Sequence, residues 1–350
     1  MTTQLPSAQH RVTVILPCRN EASRISACLD SILASAHPPE HLEILVVDGM
    51  SDDGTREVIG DYAAKYPRIR LLDNPQRIVP TALNIGIRTA TGDVIVRMDG
   101  HNIYPPEYIP RLVGALLDGD ADNVGGCLVT LPADGSPVAQ AIAIAMGHPF
   151  GVGNAHFRIG ARKPRDTDTV PFGCYRRSLF ARIGLFDEEL VRNQDDEFNH
   201  RIIRNGGRVR LIPDVVCYYY ARGSLRKAAR MFFQYGVFKP LVARKVGRFM
   251  TLRQLVPALF VASLVGSAVG ALLWRPFGYV GAGIAAVYAL CVGACALPVV
   301  RSHGIRCALA LTRALPVVHF SYGIGFLRGL RHALLGRSRW RDPSAVPLSR

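Results

Sequence analysis

Thr81–His101 reads TALNIGIRTATGDVIVRMDGH. Thr81–Thr89 predicts a helix, and Val94–Met98 predicts a short apolar strand that runs directly into Asp99, Gly100 and His101. The same alternation continues back toward the N-terminus. Val12–Leu16 predicts a buried strand ended by Pro17, and Ser23–Ala36 sets Ile25, Leu29, Ile32 and Leu33 on one helical stripe that His37-Pro38-Pro39 stops. Ile44–Val47 is the next strand. The turn-rich run from Asp48 to Thr55 then opens a helix with Val58, Ile59 and Tyr62 inward, and Ile69–Leu72 is strand-like. Strands alternating with helices predict an α/β fold built on a parallel sheet. Ligand-binding groups on such sheets gather at the carboxyl ends of the strands, where both Asp48 and Asp99 fall.

Beyond residue 105 the pattern is more mixed. Tyr108–Leu117 predicts a helix, Gly125–Thr130 a strand, His148–Gly160 a glycine-rich stretch, and Asp195–Asn205 lies in a helix that Gly206-Gly207 terminates. This half is expected to bind a second substrate. Charge separates the chain more sharply. Residues 1–214 hold 23 basic and 26 acidic side chains, whereas residues 215–350 hold 19 basic and one acidic, Asp342. The same C-terminal part contains the two longest uncharged runs, Gln254–Trp274 of 21 residues and Pro276–Val300 of 25. Each is long enough to cross a bilayer, so the basic excess belongs to a membrane protein and argues against nucleic-acid binding.

The expected organisation is a short tail over residues 1–10, an α/β domain over 11–220, a basic interface segment over 221–253, a membrane region over 254–330 and a basic tail over 331–350. Ser224–Arg248 interleaves Phe232, Phe233, Tyr235 and Phe238 with Arg226, Lys227, Arg230, Lys239, Arg244, Lys245 and Arg248, a mixture suited to an anionic lipid surface. The positive-inside rule sends Leu255–Leu273 outward and returns Phe277–Val300 to the basic loop Arg301–Arg306. A third apolar stretch, Cys307–Leu327, carries Arg313, which costs about 2.5–3.5 kcal/mol at a helix centre. That stretch is expected to be re-entrant or interfacial, giving two full spans, with three as the alternative. Met1–His10 is short and polar, so no secretory leader is expected.

Two groups of residues suggest chemistry. Asp99 and His101 stand two apart at a strand end, so in extended backbone both project to one side and could share a divalent ion. A carboxylate with an imidazole suits Mn²⁺ better than Mg²⁺; the competing reading is an ordinary polar loop. Gln194-Asp195-Asp196-Glu197 opens a helix, where carboxylates compensate the macrodipole, but three consecutive acids amid Arg192, Arg201 and Arg204 equally suit a base held near its substrate. The Gly151-x-Gly153 pair lacks a third glycine and a preceding strand, and neither a P-loop nor a nucleophile elbow is present. The eight cysteines show no zinc spacing and are expected to be reduced structural thiols.

Val12–Glu21 (VTVILPCRNE), Ile44–Thr55 (ILVVDGMSDDGT), Ala82–Asp99 (ALNIGIRTATGDVIVRMD) and Leu185–Arg201 (LFDEELVRNQDDEFNHR) together resemble, in order and spacing, the family 2 glycosyltransferases. The closest likeness is to the succinoglycan-biosynthesis-type membrane enzymes, whose Asp-Ala-His motif is similar to Asp99-Gly100-His101. The resemblance implies a GT-A, Rossmann-like domain followed by transmembrane helices, a nucleotide-sugar donor, a divalent metal and an inverting displacement. It implies donor contacts from Pro17, Arg19, Asn20, Glu21, Asp48, Asn84, Arg97 and Asp99, with Asp48 the nucleotide-contacting acid. Asp99 and His101 would hold the metal, and Asp195, or its neighbour Asp196, would be the base. The acceptor side is expected to include Gly173, Glu197, Arg201 and Gln234. Two departures stand out: Gln194 replaces the usual Glu, and Gln234-Tyr235-Gly236 stands where processive synthases carry Gln-x-x-Arg-Trp.

The resulting expectation is transfer of one sugar, UDP-linked, to a polyprenyl-diphosphate-linked acceptor in exopolysaccharide or envelope glycan synthesis. The protein would be a multi-pass inner-membrane enzyme with its catalytic domain in the cytoplasm and its basic segments on anionic lipid. The alternative from another class is a membrane scaffold that binds a nucleotide sugar or a partner without turnover.

Overall fold

The computed structural model describes residues 9–247 and 251–335. Most of the N-terminal tail, Arg248 and the basic tail from residue 336 onward lie outside the described residues. In chain order the elements are β1 (Val12–Cys18), α1 (Ile25–Leu33), β2 (Leu42–Asp48), α2 (Thr55–Lys65), β3 (Ile69–Asp73), α3 (Val79–Thr89), β4 (Val94–Arg97), β5 (Asn102–Ile103), α4 (Tyr108–Leu117) and β6 (Asn123–Leu131). Then follow α5 (Pro137–Gly147), α6 (Pro149–Val152), α7 (His156–Ile159), β7 (Arg165–Asp166), β8 (Cys174–Arg176), α8 (Ser178–Ile183), α9 (Gln194–Arg204) and β9 (Val209–Tyr220). Three long helices close the chain: α10 (Leu225–Val246), α11 (Val256–Ala271) and α12 (Pro276–Leu334).

The chain sorts into two compact units. The first takes the residues up to Val129 together with His156–Tyr219; the second takes Thr130–Ala155 and the chain from Tyr220 on. Within the span 11–220 expected as the α/β domain, residues Thr130–Ala155 group with the second unit. The physical reason is α5, whose sequence PVAQAIAIAMG offers small apolar side chains on every face and packs on α12.

The first unit is a mixed sheet with the strand order β3-β2-β1-β4-β8-β6-β9-β5, and β7 pairs with β9. Strands β1 to β4 are parallel, and β8 runs antiparallel to β4. All seven residues of β1 are buried, as a strand covered on both faces requires, so its sequence shows an apolar run rather than alternation. Register sets Cys18, Asp48 and Asp73 side by side at the carboxyl ends of β1, β2 and β3. The order reverses between β1 and β4, which is the switch point where open sheets hold ligands. Helix α3 covers this region closely: a Cβ on Gly86 would come within 2.5 Å of Ile15 Cγ2, so only glycine lets the helix lie on β1. Behind α9, Phe198 stacks on Phe186 at 4.3 Å and on Phe180 at 5.4 Å, with Tyr175 edge-on at 5.6 Å. That cluster fixes the helix on which the acidic run begins.

In the second unit, α10 and α12 approach backbone to backbone. Gly325 and Gly329, one helical turn apart, meet the main chain of Phe233 and Val237, and Gly236 meets that of Tyr322. Small residues at such spacing let helices close where larger side chains would hold them apart. Helix α12 breaks at Gly304 (φ 82°, ψ 165°), and its halves fold back so that the Tyr288 hydroxyl meets His319 Nδ1 at 2.8 Å. Phe232 and Phe238, expected on a lipid surface, are instead buried in helix packing, while Arg226, Lys227, Arg230 and Arg244 are exposed.

One helix among the described residues, α12, is long and apolar enough to cross a membrane. Among the described residues, apart from Met50 and Val129, the exposed large apolar side chains fall between Leu252 and Leu335. The expectation of two full spans is not supported. Helix α11 has 16 residues, about 24 Å at 1.5 Å per residue, less than a roughly 30 Å hydrocarbon core. The third stretch, expected to be re-entrant or interfacial, is helical and lies in the half of α12 beyond the Gly304 break, where Leu311, Leu315 and Val318 are buried. The eight cysteines are free thiols, and burial pushes those of Cys28, Cys174 and Cys217 upward, in keeping with a structural role.

Candidate active site

At the end of β4 the chain sets Arg97 and Asp99 on the same side of the strand. The guanidinium of Arg97 is buried, donates from Nη2 to Asp99 Oδ1 at 3.3 Å and from Nη1 to Asp195 Oδ1, and lies 5.7 Å from the centre of the Phe172 ring. One cation thus joins the two carboxylates that the sequence places in separate motifs. Its peptide N–H donates to the Gly173 carbonyl at 3.0 Å, which fixes β4 against the loop before β8. Between its two carboxylates Arg97 holds its proton more firmly than usual, against the opposing effect of burial.

Asp195 occupies the first turn of α9, behind Asn193 in the left-handed region (φ 61°). Burial raises its carboxyl above the ordinary value; the neighbouring Arg97 lowers it, and Asp99 and Asp196 raise it again. The side chain keeps 29% exposure, so the carboxylate is partly desolvated yet reachable. Asp196 and Glu197 are buried. Glu197 accepts two hydrogen bonds from Arg201, at 2.7 and 2.8 Å, while Arg201 also donates to the carbonyls of Ile183 and Leu185. Those two residues therefore clamp the approach to α9.

His101 is buried beside Glu21, with Nδ1 3.4 Å from Oε1, and its ring meets Tyr219 edge-on at 5.5 Å. Glu21 is itself positioned, its peptide N–H donating to the Thr55 hydroxyl at 2.8 Å. A carboxylate behind an imidazole is the arrangement that orients a metal-ligating histidine. Among the described residues no group of three or more His, Cys, Asp and Glu side chains forms a cage. One carboxylate with one oriented imidazole fits a divalent cation that draws its remaining ligands from a diphosphate.

Asp48, at the end of β2, has no exposed surface. Its oxygens accept from the Ser51 N–H at 2.9 Å, the Ser51 hydroxyl, the Cys18 thiol at 3.8 Å and Arg56 Nη1 at 2.9 Å. Asn20, in the left-handed region (φ 55°), ties the β1 loop to the next one by donating to Asp52 at 2.9 Å and to the Ser51 hydroxyl through its N–H at 2.9 Å. Pro17 lies within β1, and Arg19 lays its alkyl chain over Gly49.

The remaining expected residues, Asn84, Gly173 and Gln234, are all buried. Asn84 is buried on α3 and spends its amide on Phe186 N–H and C=O, both at 2.9 Å, and on Glu188 at 2.8 Å. Gly173 leaves no room for a side chain, because a Cβ would strike Asn123 and the Tyr175 hydroxyl. Gln234 is buried on α10, in the second unit.

Residues 13–184 match the family described as Glycosyl transferase family 2. The chain is 30% identical over 319 residues to the succinoglycan biosynthesis protein ExoA of Rhizobium meliloti (strain 1021), covering 91% of this chain and 94% of that one. The chain belongs to glycosyltransferase family 2. It is also 27% identical over 242 residues to a Methanococcus voltae enzyme named dolichyl N-acetyl-alpha-D-glucosaminyl phosphate 3-beta-D-2,3-diacetamido-2,3-dideoxy-beta-D-glucuronosyltransferase, spanning 67% of this chain and 74% of that one. Among solved structures, a mannosyltransferase from Pyrobaculum calidifontis in complex with GDP-Man and Mn²⁺ aligns with a TM-score of 0.54 at 22% identity, over 94% of this chain and 88% of that one. The glycosyltransferase thus has the GT-A fold.

Sequence reasoning on this glycosyltransferase missed three contributors. Tyr104 accepts the Asp99 N–H at 2.7 Å and donates to the Asp99 carbonyl at 3.2 Å, holding the main chain at Asp99. Phe172 (φ 47°) lies under Arg97, and Arg56 engages Asp48. Only the last had a signal, an arginine directly after the Asp-rich turn.

Proposed function

We propose that this glycosyltransferase moves a single sugar from a UDP-linked donor to a polyprenyl-diphosphate-linked acceptor in the bilayer, with inversion at the anomeric carbon. The observation that carries the proposal is Arg97 bonded to both Asp99 and Asp195. It holds a carboxylate of raised proton affinity a short reach from the strand end where the donor's diphosphate belongs.

In the reaction the acceptor hydroxyl attacks the anomeric carbon from the face opposite the diphosphate. Its proton passes to Asp195, and the electron pair of the breaking carbon–oxygen bond leaves with the nucleoside diphosphate. A positioned base of this kind contributes about 10²–10⁴-fold. Asp99 and His101 would hold a divalent cation, Mn²⁺ in preference to Mg²⁺, which neutralises charge on the departing diphosphate. Arg97 keeps Asp195 oriented and ionised, and the Glu197–Arg201 clamp keeps the N-terminal turn of α9 in place.

Support for a lipid-linked acceptor comes from the exposed apolar surface of α11 and α12 and from the relatives, one named for succinoglycan biosynthesis and one for a dolichyl-phosphate-linked sugar. We place the sheet-bearing unit in the cytoplasm, with Arg226, Lys227, Arg230 and Arg244 toward the anionic inner leaflet. Incubation of membranes containing the enzyme with labelled UDP-, GDP- and dTDP-sugars, followed by lipid extraction, tests the reading. One label should move into the lipid fraction, and retention of every label in water would refute it.

A further inference from the structure

His303, the residue before the break in α12, lines a cavity of about 350 Å³ that lies wholly within the second unit. Thr130, Gln140, His148 and His303 are its polar side chains, and Pro132 and Ile144 belong to its apolar wall. Among the described residues no carboxylate lines it. His148 is held through α6 by both halves of α12. The Phe150 N–H donates to His148 Nδ1 at 3.0 Å, the Phe150 carbonyl accepts from His319 Nε2 at 2.8 Å, and the Tyr288 hydroxyl meets His319 Nδ1. With Nδ1 engaged as an acceptor the His148 imidazole is neutral, and the group it has left to offer is the Nε2–H donor. Thr130 Oγ1 is buried without a hydrogen-bond partner, a cost that a ligand oxygen relieves.

The surroundings of the cavity define its ligand. Arg301 and Arg306 are exposed on either side of His303 in the chain, and the second unit holds one carboxylate among its described residues, Asp134. Such a surface attracts an anion. Leu297, Ile305 and Leu309 flank the same break as exposed apolar side chains. A molecule with an anionic, oxygen-rich head and a long apolar tail satisfies both conditions. We propose that the cavity receives the phosphate head of a lipid, with His148 and His303 donating to its oxygens and the tail lying along the apolar side chains beside Gly304. This rests on the lipid-acceptor reading above and deepens it, because the polyprenyl diphosphate of the acceptor and a bilayer phospholipid present the same chemistry to these donors.

The test is calorimetric binding of farnesyl diphosphate, a soluble short polyprenyl diphosphate, to the full-length enzyme in detergent and chelator, so that no cation binds it elsewhere. The natural chain should bind it and should not bind farnesol. His148→Ser, which keeps an acceptor to cap α6, and His303→Ala, at an exposed position, should each weaken binding by at least about 10-fold, as loss of a hydrogen bond to an anion does. Arg275→Ala, at the other end of the first half of α12, should leave it unchanged. Competition by dihexanoyl phosphatidylglycerol separates the two sources: equal strength supports the site as one for bilayer lipid, and weaker competition supports it as one for the acceptor. Binding undiminished in both histidine variants, equal weakening by Arg275→Ala, or inorganic pyrophosphate bound as tightly as farnesyl diphosphate would overturn the proposal. Failure of the natural chain to move any sugar label into lipid, with farnesyl diphosphate still bound through His148 and His303, would refute the transfer reading alone.

Discussion

Arg97 donates to Asp195 across 98 residues of sequence, and with its other nitrogen it holds Asp99. Asp99, just beyond β4, and the acidic run on α9 are thereby joined through one buried cation.

The first consequence concerns pH. A base works only when ionised, so kcat/KM should fall as pH drops through the Asp195 carboxyl, at a value above the ordinary 3.8 because burial outweighs Arg97. Arg97→Gln removes the neighbouring charge that lowers it. The acid limb of the pH profile should then move to higher pH, and a limb that stays or moves down would contradict this account.

Metal dependence follows from Asp99 and from His101 held by Glu21. Thorough chelation should abolish transfer, and Mn²⁺ should restore it better than Mg²⁺. His101→Ala should weaken Mn²⁺ binding, read by equilibrium titration, while leaving the thermal unfolding midpoint within a few degrees. Undiminished transfer in chelator would remove the metal from the mechanism.

Phe198 has no exposed surface and stacks between Phe186 and Phe180. Phe198→Ala should cost about 3–5 kcal/mol in denaturant unfolding, and it should lower turnover as well, because it seats the helix that carries Asp195. A loss under about 1 kcal/mol would show that α9 is fixed by something else.

The parallel half of the sheet was legible in the sequence because β1, β2 and β4 are buried on both faces and are therefore plain apolar runs bounded by turns. Asp48 and Asp99 were legible for the same reason, since a polar residue ending such a run falls at the ligand side. Contacts between distant segments were not. No periodicity relates Arg97 to Asp195, nor Asn84 to Phe186, and only the folded chain shows that Asn84 is occupied with main-chain groups. Glu197 and Arg201 did carry a signal for their ion pair, their four-residue spacing on a helix. The membrane region misled because uncharged length counts residues, whereas crossing needs continuous helix, and Ala271 ends α11 early.

The choice of Asp195 over Asp196 is the most exposed part of the account. Asp195 bonds Arg97 and keeps access to solvent, whereas Asp196 is buried. The decisive measurement is label transfer to lipid by Asp195→Asn and Asp196→Asn enzymes, alongside calorimetric binding of the nucleoside diphosphate. Asp195→Asn should bind the nucleotide nearly as the natural chain does while turnover falls by about 10²–10⁴-fold. Natural turnover in Asp195→Asn, with transfer abolished in Asp196→Asn, would contradict it.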